Sequence, residues 1–273
     1  MNITIENIDF TYPSGANALR NVSLRIGSGE AVAIIGENGA GKTTLVKHFN
    51  GLLKPLEGTV LIGSEGEAWD TRHYSVAKMA ARVGFVFQNP DDQIVERTVR
   101  AEVAFGPRQL GVSEDEMAGV VEDAMGQVGL AAEADSHPYD LTAPQRKLVT
   151  LASVLAMRTP IVIFDEPTLG QDARRIAIIG QIIENLKREG RTVVIITHDI
   201  EFSASHFERI VVMGGGRVLV DGPAEEVLAQ TDLLATTNIE PPQLVRLAQA
   251  LDLSAAPLTV ERFVASLRKS MNQ

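Results

Sequence analysis

AVAIIGENGAGKTT, residues 31–44, decides how the rest of the chain is read. The apolar run Ala31 to Ile35 predicts a short strand buried on both faces, as in a parallel sheet. GENGAGKTT then opens a helix expected over 42–53. It fits the pattern G-x-x-x-x-G-K-[ST] with Gly36, Gly41, Lys42 and Thr43. The residue types answer a physical demand. Glycines let the backbone turn until successive N–H groups point inward at phosphate oxygens. The loop Asn38, Gly39, Ala40, Gly41 and the helix start Lys42, Thr43, Thr44 are therefore the expected nucleotide-binding residues. The helix start adds partial positive charge. Lys42 is placed to reach the β- and γ-phosphates, and the Thr43 hydroxyl to ligate Mg²⁺.

Outward from this stretch, apolar strands alternate with helices. IVIF (161–164) and VVII (193–196) repeat the doubly buried pattern, and Ile176, Ile179, Ile183 and Leu186 recur at helical spacing over 173–188. Residues 2–9 and 18–26 alternate instead, as half-buried strands do. Further strands are expected at 58–62 and 82–87, and a helix at 114–129. Gly214-Gly215-Gly216 joins strands 209–213 and 217–221. The expected class is α/β: a parallel sheet with helices on both faces, an antiparallel β subdomain, a helical subdomain at about 89–158 and a C-terminal helical extension. The boundary is set at Gly222-Pro223, giving units 1–222 and 223–273. Beyond it, Pro241-Pro242 opens a helix with Leu244, Leu247 and Leu251 on one face. Val260, Phe263, Val264 and Leu267 mark a last one.

Two carboxylates, Asp165 and Glu166, end the buried strand IVIF. That placement is costly unless they meet a cation or a proton donor. Ligands of parallel sheets bind at the carboxyl ends of the strands. Asp165 is thus a Mg²⁺ ligand candidate, and Glu166 a candidate to polarise an attacking water. His198 ends the next apolar strand, where a neutral imidazole could donate to a γ-phosphate. Gln88 ends the strand VGFVF. Tyr12 follows the first strand, where packing on the sheet and stacking on a base are both open. The histidines at 48, 73, 137 and 206 are read as structural.

The chain has 273 residues, 35 acidic against 25 basic side chains and no cysteine. Net −10 disfavours a protein held to nucleic acid by phosphate contacts. The missing cysteines exclude disulfides and thiolate metal sites and fit a reducing compartment. MNITIENIDF alternates like a strand and lacks the pattern of a signal peptide. There is no apolar run of about 18 residues, so a membrane role requires a partner.

With the phosphate loop, Gln88, Asp165-Glu166 and His198 in this order, residues 2–222 resemble an ATP-binding cassette (ABC) ATPase. VFQNPDDQIVERTVRAEVAFGPRQLGV (86–112), VLAM (154–157) and IEPPQLVRLAQAL (239–251) resemble the energy-coupling factor transporter ATPases, which drive uptake of vitamins and metal ions. The resemblance implies ATP as substrate with Mg²⁺. Tyr12 would stack on adenine, Gln88 would sense Mg²⁺ and couple to the membrane partner, Glu166 would be the catalytic base and His198 the switch histidine. Asp172, in DEPTLGQD (165–172), would be the D-loop aspartate. The implied partners are a second ABC ATPase subunit, a transmembrane coupling subunit and a substrate-binding membrane subunit. The implied location is peripheral, on the cytoplasmic face of the cell membrane.

LTAPQRK (141–147) stands where that family has LSGGQ, which faces ATP held by the other subunit of a head-to-tail dimer. From the residues alone, Thr142 and Gln145 form a capping box that starts a helix, with Pro144 in its first turn. Thr142 keeps the hydroxyl. Ala143 and Pro144 replace two glycines, and Pro144 has no N–H to offer. Leu148 and Gln171 also depart from the family pattern, which often has arginine and leucine there. Two outcomes stay open: the site receiving this signature is weakened, or a preorganised helix start compensates. The first predicts a paired, non-identical ATPase.

A soluble ABC ATPase of repair or translation type is the main alternative. Such chains usually carry two cassettes or a long coiled-coil insertion, and this one has a single cassette with no heptad run. A GTPase is disfavoured by the lack of N-K-x-D. A binding module with a dead site is disfavoured by the presence of Lys42, Asp165, Glu166 and His198.

Overall fold

The computed structural model describes residues 1–64, 66–253 and 256–271. Positions 254, 255, 272 and 273 of the expected extension, and 65 within the stretch 64–75, lie outside the described residues. The strands are β1 (Asn2–Thr11), β2 (Asn17–Ile26), β3 (Ala31–Gly36), β4 (Glu57–Ser64), β5 (Glu67–Asp70), β6 (Val83–Val86), β7 (Ile161–Asp165), β8 (Thr192–Ile196), β9 (Arg209–Gly214) and β10 (Arg217–Pro223). The helices are α1 (Lys42–Phe49), α2 (Val76–Ala80), α3 (Val99–Gln109), α4 (Glu114–Val128), α5 (Ala143–Ala156), α6 (Ala173–Arg188), α7 (Ile200–His206), α8 (Ala224–Leu228), α9 (Thr231–Thr236), α10 (Gln243–Ala250) and α11 (Val260–Met271).

Two sheets form. One is antiparallel, in the order β2-β1-β4-β5. The other runs β10-β9-β3-β8-β7-β6. In it β9, β3, β8, β7 and β6 are parallel, and β10 returns antiparallel beside β9. The doubly buried strands serve two cores by alternation. Val32 and Ile34 pack with Ile3, Ile62 and Leu45, on the side of the antiparallel sheet and α1. Ala33 and Ile35 pack with residues of α3 to α6 on the other side. Side chains of a strand point alternately to opposite faces, so a continuous apolar run is what a central strand needs. The order β3-β8-β7 brings three carboxyl ends together, and with them the loops after Gly36, Asp165 and Ile196.

The expected helix over 42–53 ends at Phe49. Asn50 caps it, and Gly51 takes a left-handed φ of +73° that a continuing helix cannot hold. The stripe Leu244, Leu247, Leu251 is not the packed face of α10. Val245 and Ala248 are buried, while Leu247 and Leu251 are 46% and 48% exposed. Part of the extension belongs to the main core: Val227, Leu228, Leu234 and Ile239 pack in the same cluster as Val193 and Ile210. In the stretch 64–75, Trp69 stacks on Tyr74 at 3.9 Å and Arg82 lies over the indole at 3.3 Å. This stack ties β5 to the start of β6. Among the described residues no helix is long and apolar enough to cross a membrane.

Candidate nucleotide site

The loop between β3 and α1 is closed tightly around its glycines. A Cβ on Gly36 would lie 2.3 Å from the Met213 carbonyl oxygen, and one on Gly41 2.5 Å from that of Ala18. Gly41 also has a φ of +97°. No side chain fits either place, which is why the loop is built of glycine. The N-terminus of α1 carries no acidic residue in its first turn, so its N–H groups are not offered an anion by their own helix. Lys42 Nζ donates to the carbonyls of Gly36 (2.7 Å) and Glu37 (2.9 Å), stretched along the loop. Burial lowers its pKa, and Glu166, Asp165 and Glu37 oppose that shift.

Asp165, at the end of β7, accepts from the Thr43 hydroxyl at 3.3 Å. Burial raises its carboxyl above the usual range, against the Thr43 bond and with Glu166 adding to the rise. A buried carboxylate and a hydroxyl facing one another are hard oxygen donors, so the pair fits Mg²⁺. Among the described residues no group of three or more His, Cys, Asp or Glu side chains could hold a metal. Gln88 follows β6. Its side chain is exposed, while its carbonyl accepts from Lys147 Nζ at 2.9 Å.

Glu166 has a φ of +51°, a left-handed conformation that costs a non-glycine residue about 1–3 kcal/mol. Its N–H donates to Ile196 O at 2.8 Å, and its carbonyl accepts from Lys147 Nζ. Its carboxylate lies 2.9 Å from His198 Nδ1 and accepts from the His198 N–H at 3.3 Å. An ionised carboxylate only accepts, so Nδ1 is the donor in that contact. In the neutral ring Nε2 then keeps a lone pair. Donation to a γ-phosphate as well requires the protonated ring, which alters the role expected for a neutral imidazole.

Tyr12 is half-buried, edge-on to Phe10 at 5.0 Å, with its hydroxyl 3.0 Å from Thr44 Oγ1. It is thus joined to the phosphate loop. Asn38, Gly39 and Ala40 form the crest of that loop, with Ala40 buried. Asp172 is the N-cap of α6, accepts from the Arg175 N–H at 2.9 Å and pairs with its guanidinium.

Thr142 and Gln145 form the expected capping box: Gln145 Oε1 accepts from the Thr142 N–H (3.1 Å) and hydroxyl (2.8 Å). Pro144 falls in the first turn, where its missing N–H costs the helix nothing. Its carbonyl accepts from Gln171 Nε2 at 3.3 Å, so two departures from the family pattern touch one another.

Three participants are not visible in the residue pattern. Lys147 is only 5% exposed and reaches from α5 to Gln88 and Glu166. Gln93 accepts from the Phe87 N–H and donates to Thr150 O and Ser153 Oγ, each at 3.1 Å. Asn238, in the extension, donates to Glu37 at 3.0 Å across a cleft of about 690 Å³ that His198 also lines. No sequence spacing signals any of them, because each is defined by a neighbour distant in the chain.

A family model described as ABC transporter matches residues 19–169. The chain belongs to the ABC transporter ATPases. The energy-coupling factor transporter ATP-binding protein EcfA of Methanothermobacter thermautotrophicus is 38% identical over 259 residues, covering 95% of this chain and 83% of that one. The structure of cbiO1 from Clostridium perfringens, part of the ABC transporter complex cbiONQ, superimposes with a TM-score of 0.74 at 32% identity, covering 92% of this chain and 98% of that one. The dimeric cassette MJ0796, in a post-hydrolysis state bound to ADP and Pi, gives 0.74 at 29% identity, covering 81% and 98%. The chain is therefore an ATPase of the energy-coupling factor type, and its substrate is ATP.

Proposed function

We propose that this ATPase powers an importer of vitamins or metal ions through membrane partner subunits. The observation that carries the reading is a groove of about 550 Å³ beside Gln88, between the parallel sheet and the helical subdomain. Leu52, Val76, Val95, Phe105 and Leu110 line it, and all five are exposed. An open apolar groove suits one helix of a transmembrane subunit. Phe87 and Gln93 also line it, so an occupant would press on the Gln88 segment.

In this reading ATP lies along the phosphate loop, with Lys42 on its terminal phosphates and Tyr12 at the base. Mg²⁺, held by Thr43 and Asp165 with Gln88 near, would supply charge neutralisation at the phosphates. Glu166 accepts a proton from the water that attacks the γ-phosphorus. The bond to the ADP oxygen breaks and ADP departs. His198 holds the Glu166 carboxylate in place. Residues 223–273 form an extension that helps pair two ATPase subunits, supported by the exposed Leu247, Leu251 and Val264. The signature is the weak element: the Thr142 hydroxyl is occupied by Gln145, and Pro144 has no N–H. A second, non-identical ATPase with a glycine-containing signature completes the pair.

Co-purification tests it. The wild-type chain is expected to hold a transmembrane subunit, and Phe105→Asp to lose it while still binding ATP. Unchanged association of Phe105→Asp overturns the groove reading. Absence of any membrane partner for the wild type overturns the importer in favour of a soluble ABC ATPase.

A further inference from the structure

Lys147 is a buried ammonium that the reaction as described does not use. Among the described residues it forms no ion pair with a carboxylate. Its polar contacts are two main-chain carbonyls, those of Gln88 and Glu166. A buried charge is costly unless its partners compensate, and a neutral side chain of the same length would fill the space without that penalty. The two carbonyls are not arbitrary. One belongs to the segment beside the apolar groove. The other belongs to the residue whose backbone is held left-handed at φ +51°.

Gln93 makes the complementary contact. It takes the Phe87 N–H on one side and bonds to Thr150 and Ser153 on α5 on the other. The end of β6 is thus clasped to α5 on both sides, at the Phe87 N–H and at the Gln88 carbonyl. Through Lys147 the same helix grips the Glu166 carbonyl. With the Glu166 N–H fixed on Ile196 O, both main-chain polar groups of that strained residue are held.

We propose that Lys147 is a positioning residue for ATP hydrolysis, which clasps the Gln88 and Glu166 carbonyls to α5 so that movement of the Gln88 segment reaches the Glu166 carboxylate within one chain. The proposal rests on the reading of Glu166 as the base.

The test compares Lys147→Met, Lys147→Arg and Glu166→Gln in the assembly that turns over ATP, the chain alone or with its second ATPase. Four quantities are read: kcat, KM, affinity for a fluorescent ATP analogue, and the thermal midpoint. Lys147→Met is expected to lower kcat by about ten- to a hundredfold, as a small misplacement of a reacting group does. KM and affinity stay near wild type, and the thermal midpoint does not fall. Lys147→Arg, which keeps the cation and its donors, is expected to restore most of the rate. A folded Lys147→Met with wild-type kcat overturns the proposal. So does a parallel fall of affinity and thermal midpoint that Lys147→Arg does not repair, which marks a purely structural lysine. If Lys147→Met does not fold, Lys147→Gln is read by the same criteria. Full turnover by Glu166→Gln overturns the reading of the base instead, whatever Lys147 does.

Discussion

His198 grips Glu166 twice, through Nδ1 at 2.9 Å and through its own backbone N–H at 3.3 Å, both to Oε2. In the proposed mechanism, replacing Glu166 by Gln removes the proton acceptor. Turnover is expected to fall by about 10²–10⁴, the usual contribution of a general base. ATP affinity should stay within a few fold. His198→Ala leaves the backbone contact and removes the ring. Its expected loss is smaller, about tenfold to a hundredfold in kcat, because the carboxylate is still present but less well held. Single-turnover phosphate release on both variants checks the order; equal losses would mean that the ring itself takes part.

Tyr12 is tied to the phosphate loop by one hydroxyl. Tyr12→Phe keeps the ring and loses the contact to Thr44 Oγ1, which is worth about 0.5–1.5 kcal/mol. ATP affinity should therefore fall less than about tenfold. Tyr12→Ala also loses the edge-on packing with Phe10 and, in the proposed pose, the ring that would stack on the base, and should bind more weakly than Tyr12→Phe. Equal affinities in a titration calorimeter would assign the whole effect to the hydroxyl.

Pro144 and Gln171 form a local trade. Pro144→Gly restores an N–H at the signature and loosens the unfolded chain. Stability should drop by about 0.4–1 kcal/mol, while hydrolysis at the partner's site rises. Gln171→Leu removes the bond to the Pro144 carbonyl. Pro144→Gly keeps that main-chain carbonyl, so the two changes are expected to add on the thermal midpoint to within about 0.5 kcal/mol. Strong coupling would mean that the proline ring itself positions the carbonyl for Gln171.

Lys147 also makes stability depend on pH. Burial pushes its pKa down to about 8, with Asp165 and Glu166 opposing. In the unfolded chain it titrates near the ordinary lysine value, so between about pH 8 and 10.5 the unfolded state binds more protons. Stability contributed by this group therefore rises across that window and is lowest below it, a difference of about 3 kcal/mol by linkage. Urea unfolding with a chelator, at pH 8 and pH 10, should show wild type gaining on Lys147→Met. A constant difference between the two would place the titration elsewhere.

The phosphate loop was legible because its chemistry is local. Gly36, Gly41, Lys42 and Thr43 act through the backbone turn they themselves make. Asp165, Glu166 and His198 were legible through a topological rule: residues that end adjacent parallel strands share one edge. The capping box at Thr142 and Gln145 is local in the same sense. The Leu244, Leu247, Leu251 stripe was legible as an apolar face, but periodicity does not report whether such a face meets the core. Val245 and Ala248 are smaller and fit closer to it.

The sequence by itself therefore determined the strand-loop-helix unit, the apolar strands and the residues at their carboxyl ends. Each depends on neighbours a few positions away or on the alternation of a strand. The tertiary structure alone decided that Lys147 would meet carbonyls 59 and 19 residues away, that Gln171 would reach Pro144 across 27, and that Asn238 would find Glu37 across 201. A buried polar group is stable only beside partners that satisfy it, and those partners exist only once the chain has closed around them.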